Sequence, residues 1–192
     1  MNAARHFGFG FYERDQNSFM KVKMTREGNN EVKYELLAKI EFDSARKRMS
    51  VIVRTPDNRI MLVCKGADSI IEGRLRPGQQ SLAATKNYLD EFAKEGLRTL
   101  LVAYKYVDED FFTVWSRKYQ EALKKLTGKE KAIDKCAEEI EKDFELIGST
   151  AIEDCLQDEV GKTIFDIKSV GIKVWVLTGD KVETAMNIGM SC

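Results

Sequence analysis

Two short apolar runs joined by a turn constrain the fold of this chain more than any other feature. Residues 49–54 and 60–64 have the length of strands, and Thr55-Pro56-Asp57-Asn58 separates them. Proline fixes φ for a turn, and Asp and Asn tolerate the tight geometry that follows it. An alternating apolar stretch, residues 34–42, precedes this hairpin. Because turn-linked neighbouring strands pair antiparallel, we expect an antiparallel sheet.

The hairpin is bordered by residues that suit a nucleotide. Phe42 closes the alternating strand, and the basic run Arg46-Lys47-Arg48 follows it. The second hairpin strand ends in Lys65-Gly66, just before an apolar helical stretch at residues 69–75. Backbone N–H groups at such a corner can bind an anion. An aromatic surface for a base and cations for phosphates therefore lie along one sheet.

Each of these residues also has a purely structural interpretation. Phe42 can be a core aromatic, and the run Arg46-Lys47-Arg48 can form a solvated strand edge that discourages aggregation. Met49 can fill the core, and Lys65 can extend its charge to the surface. Arg98, which follows a predicted helix C-terminus, can act as a partner of the helix dipole.

Composition excludes several other classes of function. With 192 residues and 43% hydrophobic content, the chain can form one good-sized core, with or without a smaller appendage. Lys plus Arg and Asp plus Glu each number 31, so there is no basic footprint for nucleic acid. The apolar runs are too short to cross a bilayer, and the start lacks the layout of a signal peptide.

The thiols and the single histidine argue against a metal site. Cys64, Cys136, Cys155 and Cys192 are widely spaced, which favours reduced structural thiols in a cytosolic setting. His6 alone cannot supply a histidine-based triad or metal cluster. We therefore predict no metal ligands in this chain.

The middle of the chain alternates helices with strands. Ser81 is the predicted N-cap of a helix that runs to Glu95, with Gly96 at C′. A strand follows at residues 97–107, and Asp108 then caps another helix. The predicted apolar stripe of that helix is Phe111, Val114, Trp115, Tyr119, Leu123 and Leu126. A further helix carries Ile133, Cys136, Ala137 and Ile140, and a strand covers residues 144–152.

The pattern changes near residues 149–157, where we expect a domain boundary. Beyond it come a helix (160–167), a continuous apolar strand (172–177) and a helix from Val182 onward. A buried strand between helices is typical of a parallel α/β unit, which this chain does not complete. The predicted fold class is α+β, an antiparallel sheet flanked by helices and followed by a partial α/β tail.

Four motifs, in order, resemble the type IV P-type ATPases, the phospholipid flippases. They are FDSARKRMSVIVR, CKGAD, EGLRTL and KVWVLTGDKVETAMNIG. The resemblance covers nearly the whole chain. It implies a nucleotide-binding domain at residues 1–150, then the hinge and first α/β piece of the phosphorylation domain at 151–192. Ile152-Glu153-Asp154, in place of the Asp-Pro-Pro hinge of ion-pumping relatives, favours the lipid-transporting branch.

The resemblance implies that the chain binds ATP. Phe42 matches the aromatic that stacks on adenine, and Met49 would line the base pocket. Lys47 and Arg98 match residues on the phosphate side, and Lys65 matches a lysine near both adenine and phosphates. The implied nucleotide-binding residues are Phe42, Lys47, Met49, Lys65, Gly66 and Arg98.

The resemblance also implies that this chain lacks the catalytic residues of the phosphorylation site. Thr178, Gly179 and Asp180 match residues near the phosphorylation site of the parent pump, although Asp180 can equally be a helix cap. The phosphorylated aspartate of the D-K-T-G-T motif and the downstream magnesium motif are absent from this sequence. We therefore expect no ATP hydrolysis by the isolated chain and Mg²⁺ only in the parent. An acidic residue that the family places upstream of Ala3 is missing as well.

The implied setting is the cytosolic face of a eukaryotic membrane. The implied partners are ATP and the other domains of the pump. Phospholipid and an accessory membrane subunit would interact only with the parent. No nucleic-acid partner is expected. A haloacid-dehalogenase-like phosphatase would need a nucleophilic aspartate that no predicted strand supplies. A docking or regulatory module without nucleotide binding stays open as the alternative.

Overall fold

The computed structural model describes residues 2–14, 19–25, 28, 30–153, 157–177 and 182–191. The strands are β1 (Phe9–Arg14), β2 (Phe19–Met24), β3 (Asn30–Asp43), β4 (Arg48–Arg54), β5 (Ile60–Gly66), β6 (Arg98–Val107) and β7 (Glu145–Ile152). The helices are α1 (Asn2–His6), α2 (Asp68–Glu72), α3 (Leu82–Lys94), α4 (Glu109–Lys124), α5 (Lys129–Ile140), α6 (Val160–Ser169) and α7 (Val182–Ser191).

The seven strands form one sheet whose spatial order is the chain order, β1 to β7. Each neighbouring pair from β1 to β5 is antiparallel. The predicted hairpin is β4–β5, which Thr55 closes by donating its N–H to the Arg59 carbonyl at 2.9 Å. Asn58 adopts the left-handed φ of 61° that Asn tolerates. The predicted α+β class with an antiparallel sheet is confirmed.

The β4–β5 hairpin has one buried face and one accessible face, as period-two strands do. On the buried face, Ser50 pairs with Cys64 and Ile52 with Leu62, and all four are almost inaccessible to solvent. The half-buried residues of the other face are Met49, Val51, Met61 and Val63. The hairpin therefore has one face in the core and one face that is partly accessible to solvent.

Helices α4 and α5 pack against the buried face. Asp108 caps α4 by accepting from the N–H groups of Asp110 and Phe111, as predicted. The Tyr119 hydroxyl donates to the Lys39 carbonyl of β3 at 2.7 Å, which ties α4 to the sheet. In addition, the Trp115 indole donates to the Cys136 carbonyl of α5 at 2.8 Å.

The predicted apolar stripe of α4 is wrong in part. Trp115 and Tyr119 are buried, but Phe111 and Val114 are exposed, and Leu126 is fully exposed beyond the end of the helix. The buried stripe also contains Phe112 and Ala122, which keep the three-to-four-residue spacing with Trp115 and Tyr119. Phe111 and Val114 precede members of this stripe by one residue, so each lies about 100° away around the helix.

The chain divides into two compact units, one of residues 1–79 and 102–147, the other of residues 80–101 and 148–192. The first holds the β4–β5 hairpin, α4, α5 and the large aromatic core residues. The second holds α3, α6 and α7. The predicted domain boundary near residues 149–157 stays a prediction.

One of the two caps predicted for α3 is confirmed. Gly96 has φ of 77° and donates to the Ala93 carbonyl, as a C′ glycine does. Ser81 makes no side-chain cap, because its backbone is already helical (φ −82°, ψ −10°). An N-cap residue needs an extended backbone to place its hydroxyl over the first turn.

The strand predicted at residues 172–177 is not formed. These residues have no ladder pairing, and most of their apolar side chains are strongly exposed, including Trp175 (79%) and Leu177 (92%). A strand requires a neighbour that takes up its backbone N–H and C=O groups, and no described segment pairs with this one. The predicted helices on either side are present as α6 and α7.

Across the described parts of the chain, every helix is too short or too polar to span a bilayer. Cys64 and Cys136 are buried free thiols, whereas Cys155 and Cys192 lie outside the described residues.

Candidate functional site

A β-bulge separates Phe42 from the core. On β3 and β4, Ile40 pairs with Ser50 and Asp43 pairs with Arg48, so β3 has one residue more than β4 between these pairs. Ile40 is fully buried, but Phe42, which simple alternation places on the same face, is 63% exposed. The interpretation of Phe42 as a core aromatic is therefore wrong.

The register aligns three of the predicted site residues across three strands. Glu41 and Phe42, in the bulge of β3, lie opposite Met49 of β4, and Met49 pairs with Lys65 of β5. Met49 is half-buried and Lys65 is exposed. Neighbouring strands are about 4.8 Å apart, so the three positions span about 10 Å. Phe42, Met49 and Lys65 thus lie side by side at one level of the sheet.

Gly66 allows β5 to approach the turn that precedes β4. A Cβ on Gly66 would lie 2.6 Å from the Lys47 carbonyl oxygen and 2.6 Å from the Arg48 Cβ. No real Cβ tolerates such distances to backbone, so any other residue would force the two segments apart. The next residue, Ala67, donates its N–H to the Lys47 carbonyl at 3.0 Å.

Lys47 lies on the turn between β3 and β4, in the left-handed conformation with φ of 50°. Its N–H donates to the Asp43 carbonyl at 2.7 Å. The Asp43 carboxylate accepts from the N–H groups of Ala45 and Arg46 at 2.8 and 3.0 Å. Both hydrogen bonds lower the pKa of the Asp43 carboxyl, and the bond from Arg46 has the larger effect. Lys47 is therefore an exposed cation on a well-bonded turn beside Gly66.

The two arginines that flank Lys47 face the interior. Arg46 Nη2 donates to both carboxylate oxygens of Glu141, at 2.6 and 2.7 Å. Arg48 Nε and the Ser50 hydroxyl each donate to Glu141 at 2.6 Å. Both arginines are buried. A solvated strand edge is therefore the wrong interpretation of Arg46 and Arg48, and their charges are engaged inside the protein.

A second acid extends this network toward the surface. Glu138 accepts from Arg48 Nη2 at 2.6 Å and from Arg74 Nη2 at 2.7 Å. Burial raises the pKa of the Glu138 carboxyl, but the hydrogen bonds from Arg74 and Arg48 outweigh it and the pKa is lowered. Burial likewise opposes the charge of Arg48, but the two acids raise its pKa. We call the six residues the Glu141 cluster: Arg46, Arg48, Ser50, Arg74, Glu138 and Glu141.

Sequence reasoning missed the Glu141 cluster, although two patterns indicate it. Arg48 and Ser50 alternate with Ile52 on the core face of β4, so the guanidinium needs a buried acid. Glu141 directly follows the apolar stripe of α5, whose last residue Ile140 is fully buried.

The other predicted site residues are Arg98, Thr178, Gly179 and Asp180. Arg98 is exposed at the first residue of β6, in the second compact unit, and its place in the site stays a prediction. Thr178, Gly179 and Asp180 lie outside the described residues.

The candidate site is exposed, since Phe42, Lys47 and Lys65 are all exposed, and three cavities of the first compact unit lie away from it. One of about 680 Å³ is lined by residues of α1 and β1 to β3, including Arg5, Tyr12 and Lys23. Two others of about 510 and 520 Å³ are lined by neither Phe42, Met49 nor Lys65. Tight small-molecule sites usually enclose most of the ligand, so an open groove favours weak binding.

Comparisons of the sequence with known proteins identify its relatives. A family model for the P-type ATPase cytoplasmic domain N matches residues 16–159. Human "Phospholipid-transporting ATPase IC" is 50% identical over 192 residues, which are 100% of this chain and 15% of that protein. Mouse "Phospholipid-transporting ATPase FetA" is 49% identical over 100% of the chain and 16% of its own length. "Phospholipid-transporting ATPase DNF1" of Chaetomium thermophilum is 51% identical over 83% of the chain and 10% of its own length.

Proposed function

The chain belongs to the family of P-type ATPase cytoplasmic N domains, and from this premise we propose that it binds ATP on the accessible face of β3 to β5. The resemblance to phospholipid-transporting P-type ATPases that its motifs carry is confirmed, since the matched relatives bear that name. These relatives are six or more times longer than the matched segment, so what the whole protein does is part of the proposal.

The exposure of Phe42 is the observation that carries the proposal. A phenylalanine that is 63% exposed leaves most of its ring in water, although Ile40, two residues before it, is fully buried. A stacked base would cover the ring and gain attraction between the two π systems. Met49, half-buried on the neighbouring strand, supplies an adaptable apolar edge for the base.

Three cations are assigned to the rest of the nucleotide. Lys65 pairs with Met49 across the hairpin, so its ammonium can reach a ligand that lies on Met49. Lys47, on the turn beside Gly66, is the proposed contact for the phosphates. Arg98 completes the proposed set, because a planar guanidinium can donate two parallel hydrogen bonds to phosphate oxygens.

In the parent protein, this domain would present the γ-phosphate of ATP to an aspartate of the phosphorylation domain. Phosphorylation would then drive phospholipid movement across the membrane, with Mg²⁺ at the phosphates and this domain on the cytosolic side. The chain's own contribution is to bind and position the nucleotide. Other pump domains, and through the parent an accessory membrane subunit, are the proposed partners.

An ATP titration followed by backbone amide chemical shifts tests the proposal. We expect shifts at residues 41–49 and 64–67 that saturate at millimolar ATP, as an open groove favours weak binding. Phe42→Ala should abolish most of these shifts. Phe111→Ala is the matched control, because Phe111 is also an exposed aromatic but lies on α4. Absence of any saturable shift would favour the docking module without nucleotide binding.

A further inference from the structure

Glu141 occupies a position that two local rules disfavour. It is the C-cap residue of α5, where the helix dipole repels a negative charge. It is also fully buried, and a buried carboxylate is costly unless it is paired. Four hydrogen bonds from Arg46, Arg48 and Ser50 compensate this cost. Residues that break local rules and require such compensation occur most often at functional sites.

The cluster holds the chain on both sides of Lys47. Arg46 precedes Lys47 and Arg48 follows it, and both guanidinium groups converge on the Glu141 carboxylate. Arg46 Nη1 also donates to the Glu41 carbonyl in the bulge of β3, and Arg48 Nη1 donates to the Arg46 carbonyl, each at 3.2 Å. Through these two arginines, Glu141 holds the backbone of the turn from the buried side of the sheet.

Lys47 needs such support because its own backbone is strained. A non-glycine residue in the left-handed region persists only where its surroundings impose it. The Ala67 N–H, the Asp43 carbonyl and the close contact with Gly66 fix the turn on its outer side. The inner side is fixed by the hydrogen bonds of Arg46 and Arg48 to Glu141.

We propose that Glu141 is a positioning residue for ATP. By anchoring Arg46 and Arg48, it keeps Lys47 in the left-handed conformation beside Gly66 in which the ammonium can contact the phosphates. This inference rests on the proposed ATP binding. It assigns part of the affinity for ATP to the Glu141 carboxylate, which does not itself contact the nucleotide.

The test compares Glu141→Gln with Glu138→Gln in the full chain. The first variant keeps the side-chain shape but removes the charge that both arginines share. The second is the matched control, because Glu138 contacts Arg48 from the same helix but makes no hydrogen bond to Arg46. Without nucleotide, Glu141→Gln should accelerate hydrogen exchange at the amides of Lys47 and Ala67, and β1–β2 amides should not change. Glu138→Gln should leave the exchange of both amides near that of the wild type.

Nucleotide binding supplies the second measurement. Lys47→Ala should weaken ATP binding about tenfold, as loss of a hydrogen bond to a charged group does, and leave adenosine binding unchanged. Glu141→Gln should also weaken ATP and spare adenosine. The double variant should bind ATP no more weakly than Lys47→Ala, because both changes remove the same contact. Additive losses, or an equal loss for adenosine, would overturn the proposal.

A variant without the buried triad of Arg46, Arg48 and Glu141 keeps the test possible if the single variant misfolds. If Glu141→Gln does not fold, Arg46→Met/Arg48→Met/Glu141→Met replaces the whole buried triad by apolar residues, which buried ion triads tolerate. We expect this protein to fold, to bind adenosine as the wild type does and to bind ATP more weakly. Wild-type affinity for ATP would refute the positioning role. If the wild type binds no ATP, the proposed function fails, and the amide exchange alone decides whether Glu141 holds the turn.

Discussion

Single residues decide whether the accessible face of the hairpin is a ligand site or part of the core. We expect Phe42→Ala to reduce the free energy of ATP binding by about 1–3 kcal/mol, by analogy with base stacking on aromatic side chains. The stability of the fold should change by less than about 1 kcal/mol, because most of the ring is already in water. Thermal melts and ATP titrations of the variant measure both quantities.

Phe144 provides the contrast for Phe42. It is fully buried, and Phe144→Ala should lower the free energy of unfolding by about 3–5 kcal/mol. If Phe42→Ala melts as early as Phe144→Ala and its folded fraction still binds ATP normally, then the base is not on Phe42.

The Cys64 thiol gives a prediction about alkaline stability. Burial raises the pKa of Cys64 to about 11, although hydrogen bonding with Ser50 opposes this. An unfolded thiol ionises near pH 8.5–9, so between about pH 9 and 11 the unfolded state loses a proton that the folded state keeps. The folded state therefore loses up to about 3 kcal/mol of stability as pH rises through this range.

Cys64→Ala tests this assignment because every other titrating group is retained. Urea unfolding of both proteins from pH 8 to pH 11 should show a steeper loss of stability for the wild type. Parallel curves would mean that Cys64 ionises in the folded protein as readily as in the unfolded one.

Sequence reasoning found the residues of the accessible face and missed those beneath it. Phe42 and Lys65 could be placed along one sheet because an alternating pattern and a short turn determine how neighbouring strands pair, whereas Met49 came from the family resemblance. The bulge at Phe42 could not be predicted, since it depends on how β3 and β4 meet near the turn. In the sequence, Arg46 and Arg48 fit either cations beside a nucleotide or a solvated strand edge. Their burial could not be predicted, because charged residues are rarely buried and the partner Glu141 is more than 90 residues away in sequence.

At the scale of elements, the junction of β5 with the turn before β4 depends on the absence of a side chain at Gly66. We expect Gly66→Ala to destabilise the fold by about 1–3 kcal/mol, because the added Cβ would overlap backbone atoms of Lys47 and Arg48. ATP binding should weaken as well, since the displaced segment carries Lys47. Denaturant unfolding and the ATP titration measure the two effects.

Gly10→Ala is the matched change in another strand. A Cβ at Gly10 would have one neighbour, the Lys23 carbonyl oxygen, at an ordinary 3.9 Å. We therefore expect this variant to keep both stability and ATP binding. Equal stability of Gly66→Ala and Gly10→Ala would show that β5 can move away from the turn without loss.

Most elements were predictable, but two patterns were misassigned for tertiary reasons. Strand β3 follows from alternation, strands β4 and β5 follow from apolar runs on either side of a turn, and α5 follows from its apolar stripe. The predicted stripe of α4 is wrong at the start of the helix, because Phe111 and Phe112 both fit an apolar stripe and only the packing of Trp115 selects between them. The segment 172–177 has the composition of a buried strand, but composition does not supply a pairing partner.

At the scale of the whole molecule, the role that we propose for the chain is to position a nucleotide, and phosphoryl transfer would require other parts of the parent. It matches 10–16% of the length of the relatives compared above, and its sequence contains no D-K-T-G-T motif. Binding and phosphoryl transfer are thus assigned to different segments. In phosphoryl transfer, placing the nucleotide in line with its acceptor is itself a large part of catalysis.

The isolated chain should therefore bind ATP without consuming it. After incubation with γ-labelled ATP and Mg²⁺ and an acid quench, we expect no labelled protein and no phosphate release above that of buffer. Lys65→Ala, which should weaken binding, should give the same blank result, because neither protein has the acceptor aspartate. An acid-stable label on any Asp of the wild type would show that this chain contains a nucleophile. The assignment of binding and phosphorylation to separate domains would then be wrong.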